Sequence, residues 1–360
     1  MIPVDSFGPE RVLQVSDRKK LYGFLVIDNT VLGPGKGGIR LAPGVTAEEV
    51  AGLARAMTWK NSIAGLPFGG AKAGILWDGK TDKNELMRGF ARALKPFIPE
   101  MYIAGPDMNT GEEQMKVFAE EIGTKKASTG KPADMGGLPH ELGSTGFGVA
   151  ESAEVAAEYA GVKTEGATVA IEGFGNVGTF TAKFLSEKGM KIVAVSDSKG
   201  YVYEKGGLDV ERLVKVKAEQ GSVTKYKGAE VFSQQEKLFE MKVDILIPGA
   251  RPNVIHEGNK GKVRARMIVE AANIPITKEI EEEYHKKGVL VVPDFVANAG
   301  GVISSYVEYI GGNEKEMFKT VREKVRANTK KVLDESRSKG ISPRDAALKI
   351  AKERILKAMK

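Results

Sequence analysis

Two hydrophobic patterns alternate along this chain. Short runs rich in β-branched residues predict strands, and stretches with apolar residues three and four positions apart predict amphipathic helices. The runs that predict strands are "LYGFLVIDNTV", "ATVAIEGFG", "MKIVAVSD", "VDILIPG", "MIVEAAN" and "GVLVVPDF". The last five are almost continuously apolar, which is typical of parallel strands covered on both faces. The alternation predicts an α/β protein.

Helix-start signals indicate where the first helices begin. Thr46 with Glu49, and Asp82 with Glu85, have the spacing of capping boxes, in which two side chains satisfy backbone groups of the first turn. A further helical pattern covers residues 144–159. These stretches alternate with the strand runs, as an α/β chain requires.

The domain limits follow from the length and from one loop. A chain of 360 residues is too long for one ordinary core, so two domains are expected. Segment 123–139 is polar and rich in glycine and predicts a loop or hinge. We expect one α/β domain over residues 1–135, joined by C-terminal helices at about 314–360, and a second domain over 136–313, with a cleft between the two.

Composition narrows the class of protein. The chain has 42% apolar and 28% charged residues, which is typical of a soluble globular protein. We find neither a run of the ~18 apolar residues that a membrane helix needs nor a basic-then-apolar start typical of a secretory signal. Without cysteine, and with three scattered histidines, neither thiol chemistry nor a metal site is expected. A cytoplasmic protein without a membrane partner is the expectation.

The net charge of +7 does not by itself predict a nucleic-acid partner. Lysines are spread through the chain, and in the last fifty residues they alternate with glutamates at helical spacing. That pattern is typical of a solvated helix face. We therefore expect no nucleic-acid partner.

The stretch "VAIEGFGNVGTFTAKF" predicts a dinucleotide site. Its glycines lie between a predicted strand and a predicted helix, where they permit a tight turn and close approach of the backbone to a pyrophosphate. A bare glycine motif is weak evidence, but Asp197 also ends the next strand at the spacing of a ribose-binding acid. The predicted cofactor-binding turn comprises Gly173, Phe174, Gly175, Asn176, Val177 and Gly178.

The choice between NAD and NADP stays open at this point. Asp197 favours NAD, because a carboxylate can hold the two ribose hydroxyls. Its neighbours Ser196, Ser198 and Lys199 are compatible with the 2′-phosphate of NADP. The interpretation leans to NAD.

Three lysines stand in settings that hydrate an ammonium group poorly. Lys36 lies in "LGPGKGGIRLAP", Lys72 lies in "GLPFGGAKAGI", and Lys60 lies on the apolar stripe of a predicted helix. A lone lysine is usually a surface residue, but three of them in one cleft would lower each other's pKa values. One would then act as a base and the others would bind carboxylates. Asp107, in a Gly-Pro turn, supplies a carboxylate or serves as a turn residue.

The chain resembles the glutamate/leucine/phenylalanine/valine dehydrogenase family, which oxidatively deaminates amino acids. The resemblance covers residues 20–310. It is carried by "GPGKGGIR", "MTWKNSIAGLPFGGAKAGI", "GPDMNTGEEQM", "STGFG", "GFGNVG", "EAANIPIT" and "VANAGGVISS". Several motifs in the same order are far more specific than any one of them. The resemblance implies that residues 1–135, with the helices at about 314–360, form an α/β substrate-binding and oligomerisation domain. It implies a Rossmann-type, doubly wound dinucleotide-binding domain over 136–313.

The resemblance implies the catalytic roles. Lys72 would be the lysine of low pKa that activates water, and Asp107 would exchange protons with the substrate amino group. Lys60 would bind the α-carboxylate. The nicotinamide would take hydride from Cα, and the imino acid would hydrolyse to a 2-oxo acid and ammonia.

The resemblance also implies the substrate and cofactor contacts. Lys36 and Ser305 match the lysine and serine with which the family's glutamate enzymes bind the side-chain carboxylate, where relatives acting on leucine, phenylalanine or valine carry apolar residues. Thr145 and Val302 would complete the pocket wall. The positions that match the nicotinamide end of the cofactor site are Asn253, Asn273 and Asn298. The expected substrate is therefore L-glutamate, since a buried lysine left unpaired would reject leucine.

Alternative functions are a leucine, valine or phenylalanine dehydrogenase of the same family, and an inactive relative that senses a nucleotide or an amino acid. The family also implies a homo-oligomer, for which a hexamer is expected and an octamer or dimer are alternatives. Two departures stand out. The N-terminal segment is shorter than in typical glutamate enzymes, and "PHELGSTG" places Glu141 and Gly143 where relatives carry arginine and glutamate.

Overall fold

Residues 2–16 and 21–360 are described in the computed structural model, and the contacts among them divide the chain into two units. The first unit comprises Met1–Leu142, Val302–Met317 and Ile350–Lys360, and the second comprises Gly143–Gly301 and Phe318–Lys349.

These limits correct the expected ones near the C-terminus. Residues 302–313 were expected in the dinucleotide domain but group with the first unit, whereas 318–349 group with the second. The side chains give the reason. Phe318 packs edge-to-face on Phe147, with ring centroids 5.0 Å apart, and Arg326 forms an ion pair with the buried Glu151. These contacts hold the long C-terminal helix within the second unit.

The first unit is built on a five-stranded mixed sheet. Its spatial order is β1–β2–β4–β3–β5, with β1 and β2 antiparallel to their neighbours and the pairs β4–β3 and β3–β5 parallel. The strands are β1 Arg11–Ser16, β2 Leu21–Asn29, β3 Gly35–Ala42, β4 Gly69–Leu76 and β5 Tyr102–Pro106. The helices between them are α1 Ala47–Ile63, α2 Lys83–Leu94 and α3 Glu112–Ile122.

The N-cap half of each predicted capping box forms at the start of the first two helices. The Thr46 hydroxyl accepts a hydrogen bond from the Glu49 amide at 3.1 Å, and the Asp82 carboxylate accepts one from the Glu85 amide at 2.8 Å. Strands β3 and β4 were not predicted, because glycine is depleted in strands. The apolar core of this unit lies between α2, α3 and one face of the sheet.

The second unit contains a seven-stranded sheet in the order β12–β11–β10–β6–β7–β8–β9. The strands from β12 to β7 are parallel, and the chain order reverses between β10 and β6, as in Rossmann-type sheets. Strands β8 and β9 continue the edge in antiparallel fashion. The strands are β6 Thr168–Glu172, β7 Lys191–Asp197, β8 Gly200–Tyr203, β9 Glu230–Phe232, β10 Ile245–Pro248, β11 Met267–Val269 and β12 Leu290–Val292.

The helices of the second unit connect these strands. They are α4 Ser144–Tyr159, α5 Asn176–Glu187, α6 Val210–Gln220, α7 Lys278–Lys286 and α8 Asp294–Ala297. Three helices follow, namely α9 Gly300–Tyr309, α10 Glu314–Lys339 and α11 Pro343–Ala358. In the described part of the chain, none of the helices is both long and apolar enough to cross a membrane.

Candidate active site

One face of the first sheet carries charged side chains among glycines. In the parallel register Lys36 lies opposite Gly70 and Arg40 lies opposite Gly74, so that Lys36, Arg40 and Lys72 point to the same face. On β5 the register places Asp107, just past the strand end, beside Arg40. The opposite face is apolar and buried against the core. The strand period of two therefore separates the charged groups from the core.

The glycines of this sheet allow close approach of other groups. A Cβ on Gly70 would lie 2.1 Å from the Thr58 hydroxyl, so that α1 rests directly on the sheet backbone. A Cβ on Gly38 would lie 2.8 Å from the Cβ of Asp107, and one on Gly105 would lie 2.7 Å from the Lys36 Nζ. The missing side chains therefore leave the space that the two charged residues occupy.

Lys36 is buried, and few neighbouring groups compensate the charge of its ammonium. It is 4% exposed, and its Nζ donates a hydrogen bond to the Ala104 carbonyl at 2.9 Å. Burial lowers the pKa of Lys36 to about 7, although the field of Glu308 raises it. Glu308 is engaged by the Lys131 ammonium at 2.5 Å and by backbone amides, including that of Gly130 at 2.9 Å. Lys36 is therefore partly protonated near neutral pH.

A second polar atom near Lys36 is also unsatisfied. The Thr129 hydroxyl lies 3.7 Å from where a Cβ of Gly105 would stand. It is buried and has no hydrogen-bond partner within residues 2–16 and 21–360. A buried hydroxyl beside a weakly compensated ammonium is the environment that an anionic ligand group would complete.

Lys72, Asp107 and Arg40 form a charged triad. The Lys72 Nζ lies 3.3 Å from the Asp107 Oδ2, and the Arg40 Nε donates to the same oxygen at 2.8 Å. Burial lowers the pKa of Lys72, and Asp107 opposes this shift. Burial raises the pKa of Asp107, but Lys72 and Arg40 outweigh it and leave that pKa below its usual value. The triad holds an ionised carboxylate beside a lysine that loses its proton more easily than usual.

Sequence reasoning missed Arg40, although it lies inside the quoted motif "GPGKGGIR". Its Nη1 also contacts the Glu49 carboxylate at 2.5 Å, in the first turn of α1. The available signal was the spacing, because residues four apart on one strand share a face. Its partner Asp107 lies 67 residues later and is brought close only by the pairing of β3 with β5.

Lys60 lies at the C-terminal end of α1 and is half-buried. The next residue, Asn61, donates its side-chain amide to the carbonyls of Lys36 at 3.3 Å and Gly69 at 2.7 Å. These bonds fix the last turn of α1 against β3 and β4. A role for Lys60 as an α-carboxylate ligand stays a prediction.

The other predicted pocket residues are divided between the units. Val302 and Ser305 lie on α9 within the first unit, and both are half-buried. Ser305 is three residues before Glu308, so that it shares a helix face with the residue whose field acts on Lys36. Thr145 lies in the second unit, where a Cβ on Gly301 would come within 2.8 Å of its hydroxyl. Their substrate contacts stay predictions.

The predicted phosphate turn has the geometry that a pyrophosphate needs. Gly173 has a φ of +93°, and Gly178 approaches it so closely that a Cβ would lie 1.9 Å from its carbonyl oxygen. Gly175 is the N-cap of α5 and lacks a side-chain capping bond, and a Cβ there would meet open space. The residues present fit a dinucleotide phosphate at this helix start.

Asp197 is engaged by groups of the protein itself, and its role in binding the ribose stays a prediction. It is 8% exposed and accepts hydrogen bonds from the Lys217 ammonium at 2.7 Å and from the Ser222 hydroxyl at 3.2 Å. The amides of Lys199 and Val223 also donate to it, at 2.9 and 2.8 Å. Burial raises its pKa, but Lys217 and these donors lower it below the usual value. Asp197 thus anchors the loops around it.

The three predicted asparagines lie close to one another in the second unit. The Asn298 side-chain amide donates to the Asn273 side-chain oxygen and to the Ala271 carbonyl, both at 3.1 Å. The Asn253 amide donates to the Ile274 carbonyl at 3.0 Å. We call Asn253, Asn273 and Asn298 the asparagine rim. Its contact with a nicotinamide stays a prediction.

Comparison with known protein families gives matches over nearly the whole chain. The model described as Glutamate/Leucine/Phenylalanine/Valine dehydrogenase matches residues 136–360. The model described as Glu/Leu/Phe/Val dehydrogenase, dimerisation domain, matches residues 9–124. The chain belongs to this family. It is an amino-acid dehydrogenase, as the motifs predicted.

Curated relatives and solved structures agree with this assignment. A glutamate dehydrogenase from Aeropyrum pernix is 42% identical over 98% of this chain and 91% of its own length. A glutamate dehydrogenase from Peptoniphilus asaccharolyticus has a solved structure with a TM-score of 0.86 and 30% identity, covering 98% of this chain and 91% of that one. An L-tryptophan dehydrogenase from Nostoc punctiforme reaches a TM-score of 0.76 at 26% identity, covering 98% and 97%. The fold of this family therefore supports more than one substrate.

The glycine at position 143 has a local cause. Gly143 has a φ of +75° at the start of α4, and a Cβ there would lie 2.2 Å from the ring of Phe180. Glutamate at this position would be strained and would collide with that ring. Phe180 therefore accounts for the glycine in this member of the family.

Proposed function

We propose that this chain catalyses the reversible oxidative deamination of L-glutamate to 2-oxoglutarate and ammonia, with NAD or NADP as cofactor. The observation that carries the proposal is the charged sheet face of the first unit. Within the described residues, Lys36 is buried there with a single carbonyl acceptor, beside the unsatisfied Thr129 hydroxyl. The second carboxylate of glutamate would complete this environment, whereas an aliphatic side chain would leave it unsatisfied.

The chemistry assigned to the chain uses the charged triad. Asp107 accepts a proton from the substrate amino group; the nicotinamide, when bound, would supply the acceptor for the hydride that leaves Cα. Lys72 takes a proton from the water that attacks the resulting imine carbon, and Asp107 returns its proton to the nitrogen. The C–N bond then breaks, the hydroxyl proton is lost as the carbonyl forms, and ammonia leaves. Arg40 holds Asp107 ionised through its 2.8 Å hydrogen bond. Lys60 is assigned to the α-carboxylate, and Lys36 with Ser305 to the side-chain carboxylate.

The cofactor assignment includes both dinucleotides. The sequence leaned to NAD because of Asp197, but that carboxylate is neutralised by Lys217 at 2.7 Å. A carboxylate paired with a lysine repels the 2′-phosphate of NADP less than an unpaired carboxylate does. A relative from Saccharolobus shibatae, 39% identical over 98% of this chain, is an NADP-specific glutamate dehydrogenase. We therefore propose that NADP is accepted at least as well as NAD.

A homo-oligomer is part of the proposal, with a hexamer as the expected form. The match to a dimerisation domain over residues 9–124 supports self-association. A hetero-hexameric glutamate dehydrogenase from Thermus thermophilus has a TM-score of 0.85 and 30% identity, covering 97% of this chain and 89% of that one. A cytoplasmic location stays a prediction.

A substrate and cofactor panel tests the proposal. Initial rates would be measured for glutamate, leucine, valine, phenylalanine and tryptophan, each with NAD and with NADP. We expect kcat/KM for glutamate to exceed that for the others by a factor of roughly 10² or more. A higher value for any apolar amino acid would defeat the glutamate assignment. Tight cofactor binding without turnover of any substrate would indicate a sensor.

A further inference from the structure

A buried cluster of charges stands behind the asparagine rim of the second unit. Arg344, near the start of α11, contacts three carboxylates at once. Its Nε donates to both oxygens of Glu281 at 2.7 and 2.8 Å, and its Nη2 donates to Asp294 at 2.9 Å and to Glu270 at 3.1 Å. The three carboxylate side chains are at most 8% exposed. No step of the proposed chemistry uses these groups.

Burial disfavours the charged form of the acids in this cluster. Burial and the adjacent Glu281 and Asp294 raise the pKa of Glu270 well above its usual value. Its Oε1 has no hydrogen-bond partner within the described residues. Arg344 contacts all three acidic side chains, and it is the cation that holds them together.

Asp294 connects this cluster to the backbone of the rim. Its Oδ1 binds Arg344, and its Oδ2 accepts a hydrogen bond from the Ile274 amide at 2.9 Å. The Asp294 amide in turn donates to Glu270 at 2.9 Å. The Asp294 carbonyl accepts from the amide of Asn298, a rim residue, at 2.8 Å. The Asp294 side chain thus fixes the loop after β11, and the Asp294 backbone makes the helical bond to Asn298 at the end of α8.

Ile274 is held in an unfavourable conformation. It has a φ of +49°, a region that β-branched residues rarely adopt, and it is 51% exposed. Burial of its side chain therefore does not account for the conformation. Its carbonyl accepts from the Asn253 amide, and Asn253 itself has a φ of +53°. Such strain persists only where surrounding bonds impose it.

We infer that Arg344 is a positioning residue for the cofactor, acting through Asp294 to hold Ile274 in its left-handed conformation and so to fix the asparagine rim. The inference rests on the proposed function, because it takes the rim as the nicotinamide end of the cofactor site. It concerns residues 70 positions apart in sequence, which the fold alone brings together.

The test replaces Arg344 by lysine, which keeps the charge but cannot span the three carboxylates. The matched control is Arg326→Lys, because Arg326 also binds a buried carboxylate, that of Glu151 at 3.0 Å, in the same unit. In R344K we expect NADH and NADPH to bind roughly tenfold more weakly, with KM for the cofactor raised and kcat changed far less. Amide hydrogen exchange over residues 270–276, measured without cofactor, should rise in R344K alone.

A second replacement tests whether Arg344 acts through Ile274. Glycine adopts a left-handed φ without strain, so adding Ile274→Gly to R344K should restore most of the lost cofactor affinity. Unchanged weak binding in the double variant would overturn the inference, as would wild-type affinity and exchange in R344K. If R344K does not fold, Asp294→Asn is measured in the same way and should weaken cofactor binding. Wild-type protein that bound neither cofactor would instead defeat the proposed function.

Discussion

In the first unit the buried Lys36 ammonium donates a hydrogen bond to one backbone carbonyl. In the second unit the buried Asp197 carboxylate accepts four hydrogen bonds, and Arg344 contacts three carboxylates. Both arrangements bury charge, and burial costs free energy unless partners compensate it. The saturated groups hold loops and helix ends in place. Lys36, whose charge is weakly compensated, can still form strong bonds to a ligand. The degree of compensation therefore distinguishes a charged group that binds a ligand from one that holds the fold.

The largest effect is expected from the triad. Replacing Lys72 by alanine removes the group assigned to activate water, and kcat should fall by a factor of roughly 10²–10⁴. The dissociation constant of NADH should stay within a factor of about two, because the phosphate turn lies on another sheet. The exposed Lys80→Ala variant serves as the control and should keep its activity. Retention of wild-type kcat in K72A would contradict the assignment.

Replacing Lys36 by methionine removes the weakly compensated ammonium group and should change substrate preference. We expect kcat/KM for glutamate to fall roughly 10²-fold, with a gain for leucine and methionine, because the pocket no longer leaves an ammonium unpaired. Initial rates on the same amino-acid panel measure this change. An equal loss for glutamate and leucine would show that Lys36 supports the fold and does not select the substrate.

Arg40 lowers the pKa values of both Lys72 and Asp107. Its replacement by glutamine should raise both, so that deprotonation of either group requires a higher pH. The acid limb of kcat/KM should then move to higher pH by roughly one unit. Glu49→Gln removes the outer partner of Arg40 and is the matched control, with a smaller shift expected. An acid limb that did not move, or moved to lower pH, would argue against the triad.

The smallest effect concerns the cofactor. Lys217→Met would leave the Asp197 carboxylate without its cation, and its negative charge would then oppose a 2′-phosphate. The ratio of kcat/KM for NADP to that for NAD should fall, by roughly threefold to tenfold. Lys215→Met, on the same helix but exposed, controls for the change in net charge. An unchanged ratio would mean that Asp197 does not face the ribose.

Features set by local sequence were predicted well. The N-caps at Thr46 and Asp82, the apolar parallel strands and the glycine turn after β6 each depend on neighbouring residues. The glycine-rich strands β3 and β4 were missed, because the close contacts that require their glycines are made with other elements of the fold, such as that of Gly70 with Thr58.

The missed part of the site has the same cause. Arg40 and Asp107 are 67 residues apart, and the partners that saturate Asp197 follow it by up to 26 residues. Neither contact has a local pattern, since each depends on which strands and loops become neighbours in the fold. The burial of two lysines, in contrast, could be predicted from the apolar and glycine-rich residues around them. Lys36 and Lys72 are buried as those residues indicated.

Proton uptake on ligand binding tests the central claim most directly. Glutarate carries both carboxylates of glutamate without the amino group, and both stay ionised above about pH 6. At pH 8 Lys36, with a pKa of about 7, is mostly neutral in the free protein, and a bound carboxylate should raise that pKa. Calorimetry in buffers of different ionisation enthalpy should therefore show uptake approaching one proton in the wild type and little in K36M. Tight binding of glutarate with equal uptake in both proteins would contradict the account.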